Sequence, residues 1–176
     1  MNISLRYAKA LFQIAQQQNK IDQYMEDLKA FKQVLVQDKS FYGFIIDPLA
    51  DKERKQKAVS VLFDKLNSPK EIKNLVALLI SRGRERIIVD CIDSYEQMYD
   101  DYRGLIKAEV HTAYDISQNE MDILKTRIKN LFHKEPVLTV RKDTSIIGGL
   151  QLKIGWTIYD GTIKTHLKEF TNSIKI

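Results

Sequence analysis

The sequence is short of the residues from which reaction centres and covalent staples are built. Its 176 residues include one cysteine, Cys91, and three histidines, His111, His133 and His166. A lone cysteine closes no internal disulfide, and the histidines are scattered without ligand spacing, so neither a metal nor any other cofactor is expected. Cys91 lies among Ile88, Val89 and Ile92, the surroundings of a buried thiol rather than a nucleophile. A glycine-rich phosphate cradle is also missing. Ser81-Arg82-Gly83-Arg84 holds one glycine, and Ile147-Gly148-Gly149-Leu150 lacks the lysine and spacing of a P-loop. No serine occupies a nucleophile elbow, and the acid pairs Asp90 with Asp93 and Asp100-Asp101 come with no sign of a pocket that would shift a pKa. The chain is therefore expected to have no catalytic residues and not to be an enzyme.

Long apolar runs are absent too. No segment reaches the roughly 18 apolar residues of a bilayer span, and Arg6 and Lys9 interrupt the first apolar residues, against a secretory signal. The net charge is +5, but 28 basic residues are interspersed with 23 acidic ones rather than gathered in a patch. Nucleic acid is not an expected partner on that distribution. The densest basic stretch, Lys52, Arg54, Lys55 and Lys57 around Glu53, reads as a solvated helix face.

Scarcity of glycine organises what is present. Only Gly43 and Gly83 precede Gly104, whereas Gly148, Gly149, Gly155 and Gly161 crowd the end. Glycine weakens helix interiors, so the fold expected is mostly α: a six-helix bundle over residues 1–104, then a small α+β domain over residues 105–176. Asn19, Asp38, Asp47-Pro48, Ser68-Pro69 and Gly83 punctuate the first part, and predict helices over 2–18, 20–37, 39–46, 50–66, 70–82 and 84–103. In the second part Ile106, Ala108, Val110 and Thr112 alternate with Lys107, Glu109 and His111, the period of a half-buried strand. Ser117 and Glu120 have capping-box spacing ahead of Met121, Leu124, Ile128 and Leu131. Val137 to Val140 and Leu150 to Trp156 read as strands joined through the Gly148-Gly149 turn. Asp160 is placed to cap a last helix carrying Ile163, Leu167 and Phe170.

Two helices are apolar over more of their circumference than one core requires. On the first, Tyr7, Ala10, Leu11 and Ile14 share a face, and Leu5, Ala8, Phe12 and Ala15 fill the adjoining sector. On the fifth, Ile72, Leu75, Val76 and Leu79 define a face that Ala77, Leu78 and Ile80 extend nearly all round. Burial of the helix within its own bundle would account for this, and so would a groove that receives a partner's amphipathic helix. Periodicity alone leaves both open.

Several strings carry a family resemblance. Arg6-Tyr7-Ala8-Lys9-Ala10-Leu11-Phe12 resembles the opening helix of the F-type ATP synthase delta subunit family, which includes the mitochondrial oligomycin-sensitivity-conferring protein. Asn74 to Leu79 before Arg82-Gly83-Arg84, then Val110, Thr112 and Ala113, Ile146-Ile147-Gly148-Gly149, and Asp160-Gly161-Thr162-Ile163 follow in the family's order. The chain departs from the family pattern at Thr144, Trp156 and Thr162. The resemblance implies a non-catalytic stator subunit that links the alpha-beta catalytic head to the b-subunit peripheral stalk and so couples proton-driven rotation to ATP synthesis. It implies that the N-terminal helices of the alpha subunits are held by Tyr7, Ala10, Leu11, Ile14, Leu75, Leu78 and Leu79. It further implies contact with the beta subunits, a b-stalk contact shaped by Ile147, Gly148 and Gly149, and a place at the cytoplasmic face of the cell membrane, held there through the complex. The competing reading is a helical adaptor that docks amphipathic peptides in an unrelated assembly.

Overall fold

The computed structural model describes residues 3–155 and 157–162. Two compact units divide the chain, Met1–Tyr99 and Asp100–Ile176. The first contains α1 (Ile3–Gln17), α2 (Ile21–Gln37), α3 (Lys39–Ile46), α4 (Lys52–Lys65), α5 (Lys70–Ser81), a 3₁₀ turn (Glu85–Ile87) and most of α6 (Ile88–Tyr102). Side chains start two of these helices: Asp38 accepts from the Phe41 amide and Asp51 from the Arg54 amide, both at 2.9 Å. Each satisfies an amide that the first helical turn leaves without a carbonyl.

Three helices stop by one device. Asn19, Asn67 and Gly83 have φ of 54°, 52° and 63°. The amide that follows each reaches back to a carbonyl in the last turn: Lys20 to Ala15 at 2.9 Å, Ser68 to Phe63 at 3.0 Å and Arg84 to Leu79 at 2.8 Å. This is the left-handed termination that glycine, and after it asparagine, adopts with least strain.

The elements of this unit share one core. Tyr24, Phe31, Phe63, Ile72, Leu79, Ile80 and Tyr95 are all fully buried within it, and the Phe31 and Phe63 rings lie 4.7 Å apart. Lys55 corrects the sequence reading. It is 1% exposed rather than on a solvated face, and its ammonium meets the Glu85 carboxylate at 2.8 Å. Burial pushes the Glu85 carboxyl up, but the Lys55 hydrogen bond, a backbone amide and the charges of Lys55 and Lys52 outweigh it and hold the group below its ordinary value. A charge inside an apolar core is tolerated only when paired in this way, which local sequence pattern does not reveal.

The second unit holds β1 (Leu105–Thr112), α7 (Gln118–Phe132), β2 (Glu135–Lys142), β3 (Gly149–Ile154) and β4 (Thr157–Thr162). The Ser117–Glu120 capping box forms, with Ser117 N donating to Glu120 Oε2 at 2.9 Å and Glu120 N to Ser117 Oγ at 3.3 Å. The sheet order is β2-β1-β3-β4, with β1 and β2 parallel and the other pairs antiparallel. On β1 the alternation places Ala108, Val110 and Thr112 in the interior.

This order revises two expectations. β2 and β3 flank β1 and are not paired, so the Gly148-Gly149 segment belongs to a crossover past the end of β1 rather than a tight strand-to-strand turn. The crossover is pinned by the Asp143 amide on the Thr112 carbonyl at 2.8 Å and by the Ser145 amide on Asp143 Oδ1 at 2.9 Å. Residues 157–162 form a strand that alternation had not indicated, because four of its six residues are Thr, Asp or Gly. Asp160, expected to cap a last helix, lies instead within β4, where its Oδ1 accepts from the Thr162 amide at 2.9 Å; Ile163, Leu167 and Phe170 of that expected helix lie outside the described residues.

Candidate functional site: the groove between the first and fifth helices

Hydrogen bonds tie α1 to α5 at both ends. Near the start of α1 the Tyr7 hydroxyl accepts from the Arg84 guanidinium at 2.9 Å, just beyond the end of α5. Past the other end of α1, Gln18 Nε2 donates to Glu71 Oε1 at 3.0 Å in the first turn of α5, and the Tyr24 hydroxyl donates to Glu71 Oε2 at 2.9 Å. The two helices therefore run antiparallel. The side-chain amide of Gln18, then a backbone amide and the Tyr24 hydroxyl, hold the Glu71 carboxyl below its ordinary value. Burial first and Glu71 second push the Tyr24 hydroxyl upward.

The surplus apolar surface lies along this seam. On α1, Ser4, Ala8, Leu11 and Ala15 face the core, and at 100° per residue Ile3, Tyr7, Ala10 and Ile14 form the next strip. Ile3, Ala10 and Ile14 are exposed and Tyr7 is half-buried. On α5 the core face is Ile72, Val76, Leu79 and Ile80. The flank towards α4 is fixed by Lys73 on Asp64 and by Gln56 on the Ala77 carbonyl. Leu75 and Leu78 fall on the other flank, beside α1, where Leu75 is half-buried and Leu78 is 40% exposed. The groove so formed has walls of Tyr7, Ala10 and Ile14 on one side and Leu75 and Leu78 on the other.

Two residues expected in the lining are elsewhere. Leu11 and Leu79, 3% and 1% exposed, belong to the core, because each points one helical sector further inward than its neighbours on the strip. They line the floor instead, around an apolar cavity of about 10 Å³ that also touches Leu75 and Cys91 and is too small for a cofactor. Burial, and then the charge of Asp90, push the Cys91 thiol up to about 12, so it stays protonated and inert at neutral pH. Among the described residues no group of His, Cys, Asp and Glu is arranged to hold a metal, and no helix is long and apolar enough to cross a membrane.

Sequence reasoning passed over Ile3 and the Tyr7–Arg84 bond. A signal for the first was its place at i−4 from Tyr7; nothing local announces the second, whose partners are 77 residues apart. In the other unit, Ile147 is largely exposed on the crossover and Gly148 forms a bend beside it. Gly149 opens β3 with φ 83°. A Cβ there would overlap the Gly161 carbonyl oxygen on β4, so this glycine is demanded by strand approach.

Fold and surface together define a class of chain: mostly helical, with seven α-helices among the described residues and an apolar strip along α1 and α5, and with a small mixed four-stranded sheet towards the C-terminus. The sequence pattern described as ATP synthase delta (OSCP) subunit matches residues 3–174. The chain is 30% identical to ATP synthase subunit delta of Desulfosudis oleivorans over 173 residues, which cover 98% of this chain and 94% of that protein. It is 31% identical to ATP synthase subunit delta of Lactobacillus johnsonii, with the same coverage. A chain of the Toxoplasma gondii mitochondrial ATP synthase hexamer shares the fold, with a TM-score of 0.81 at 18% identity over 98% of this chain and 97% of that one. The chain belongs to the ATP synthase delta (OSCP) subunit family, a non-catalytic component of ATP synthase.

Proposed function

We propose that the chain is a stator subunit that joins the alpha-beta catalytic head to the b-subunit peripheral stalk. The N-terminal unit receives an alpha-subunit N-terminal helix in the α1/α5 groove, next to the beta subunits, and the unit from Asp100 onward meets the b stalk near the crossover at Ile147, Gly148 and Gly149. Rotation of the central rotor makes ATP only if the head is held still, so the contribution of this subunit is binding free energy and rigidity. It would sit at the cytoplasmic face of the cell membrane, held there through the complex. The observation that carries this reading is the apolar strip left open along the α1/α5 seam, with Leu78 exposed beside a fully buried Leu79. An exposed apolar strip of this kind is met by an amphipathic helix that offers apolar residues at i, i+3, i+4 and i+7. Affinity purification of the full chain from native membranes should recover alpha, beta and b subunits in constant proportion. Recovery of the chain without them, or with an unrelated assembly, would contradict the proposal.

A further inference from the structure

The groove has unlike ends. At the Tyr7–Arg84 end, Arg6 precedes Tyr7 and stands at i−4 from Ala10, while Arg82 stands at i+4 from Leu78, so one guanidinium flanks each wall. Both are exposed, and among the described residues neither forms an ion pair. Lys52 adds a third cation there, donating to the Ser81 carbonyl at 3.0 Å at the end of α5. Glu85, the acid nearest in sequence to Arg84, has its carboxylate turned inward onto buried Lys55, where the charge of Lys52 also acts on it, so Arg6 and Arg82 are the cations left at the surface. Asp51, which precedes Lys52, is engaged by the Arg54 amide. At the opposite end, the wall of α5 carries the Glu71 carboxylate, fixed by Gln18 and Tyr24 and faced by the charge of Lys20, so that end has charge of both signs.

We propose that Arg6 and Arg82 determine specificity in this groove by reading carboxylates at one end of the docked helix, so that the occupant is an amphipathic helix with carboxylates gathered at that end. The inference rests on the docking reading above and adds the chemistry and placement of the occupant. From Arg6 to Gln18 the seam spans about 18 Å at 1.5 Å per residue, room for roughly three turns of partner helix. An apolar strip alone would accept such a helix in either direction, and charges at the rim select one placement and speed encounter.

The test titrates the full chain and its Arg6→Glu/Arg82→Glu variant with a synthetic peptide of the alpha-subunit N-terminal helix. Because both arginines are exposed and unpaired, the variant should melt with the unaltered protein. At about 0.05 M salt it should bind the peptide about tenfold more weakly, and the gap should shrink severalfold at about 0.5 M as screening shortens the reach of surface charge. A peptide whose carboxylates at one end are replaced by lysine should restore binding to the variant and weaken it for the unaltered protein. Equal affinity of both proteins at low salt would overturn the charge reading while leaving docking intact. Absence of binding by the unaltered protein would overturn the docking reading, and the charge reading with it.

Discussion

The two units reach order by different means. In the first, every helix from α1 to α6 sends residues into one core, and the aromatic rings of Tyr24, Phe31, Phe63 and Tyr95 are wholly enclosed. In the second, among the described residues, Ala108 and Val110 of β1, Pro136 of β2 and Ile128 of α7 are the buried apolar side chains. Val137 and Val140 of β2 and Ile158 and Tyr159 of β4 are exposed. The first unit is thus defined by burial of apolar area, and its surface strip is the small remainder. The described part of the second is defined more by backbone pairing, where one misfitting atom at a strand contact matters as much as a lost side chain in a core.

Substitutions can sharpen or break that contrast. The largest effect should come from Lys55→Ala, which leaves Glu85 buried without its ion-pair partner, and should cost the N-terminal unit about 3–5 kcal/mol. Denaturant unfolding followed by the N-terminal aromatics would show it. The Lys55→Met/Glu85→Leu pair, with both charges gone, should recover most of the loss, and failure to recover would mean that packing rather than the charge pair dominates. Next in size, Gly149→Val places a Cβ against Gly161 at a positive φ and should cost the second unit about 3 kcal/mol or more. Amide exchange should then rise across β3 and β4 while the α1–α6 core stays protected. Ser117→Ala removes one half of the capping box and should cost about 1 kcal/mol, read as a small fall in midpoint.

Titration of Cys91 has the smallest effect near neutral pH and grows only in alkali. The Cys91 thiol binds its proton more tightly when folded, with its pKa moved from 9.0 to about 12, so its contribution to stability is intact below pH 9 and is lost as pH rises from there towards 12. Cys91→Ala should flatten that alkaline loss. Glu71 and Glu85 are held low and act in the opposite window, supporting the fold above their ordinary value of 4.5 and losing that support on acidification. A thiol reagent that labelled Cys91 of the folded protein at pH 8 would break the account of a closed core.

Most of this architecture was legible from residues that act locally. Asn19, Asp38 and Gly83 mark helix limits through their own backbone or side-chain bonds, and Ser117 with Glu120 caps α7 from within four residues. What stayed hidden depends on distant partners. Lys55 looks solvated until Glu85, thirty residues on, is placed beside it. Gly149 looks like a turn until β4 lies against it. The groove was half legible: over-wide apolar faces identified α1 and α5, but the side of each that stays open depends on where α4 and the core take up the rest. Hence Leu78 and Ile14 emerge at the surface while Leu11 and Leu79, which share their pattern, do not.

Adjacent leucines offer the most direct test of the central claim. Leu78→Asp and Leu79→Asp place the same carboxylate one residue apart on α5, the first at a 40% exposed position and the second at a 1% exposed one. Thermal unfolding and affinity for the alpha N-terminal peptide should be measured on both proteins. Leu78→Asp should melt close to the unaltered protein yet bind the peptide more weakly by at least ~2 kcal/mol, because a docked helix would bury the carboxylate without a partner. Leu79→Asp should unfold the N-terminal unit. A Leu78→Asp protein that stays folded and binds as tightly as the unaltered one would contradict the account and place the docking surface elsewhere.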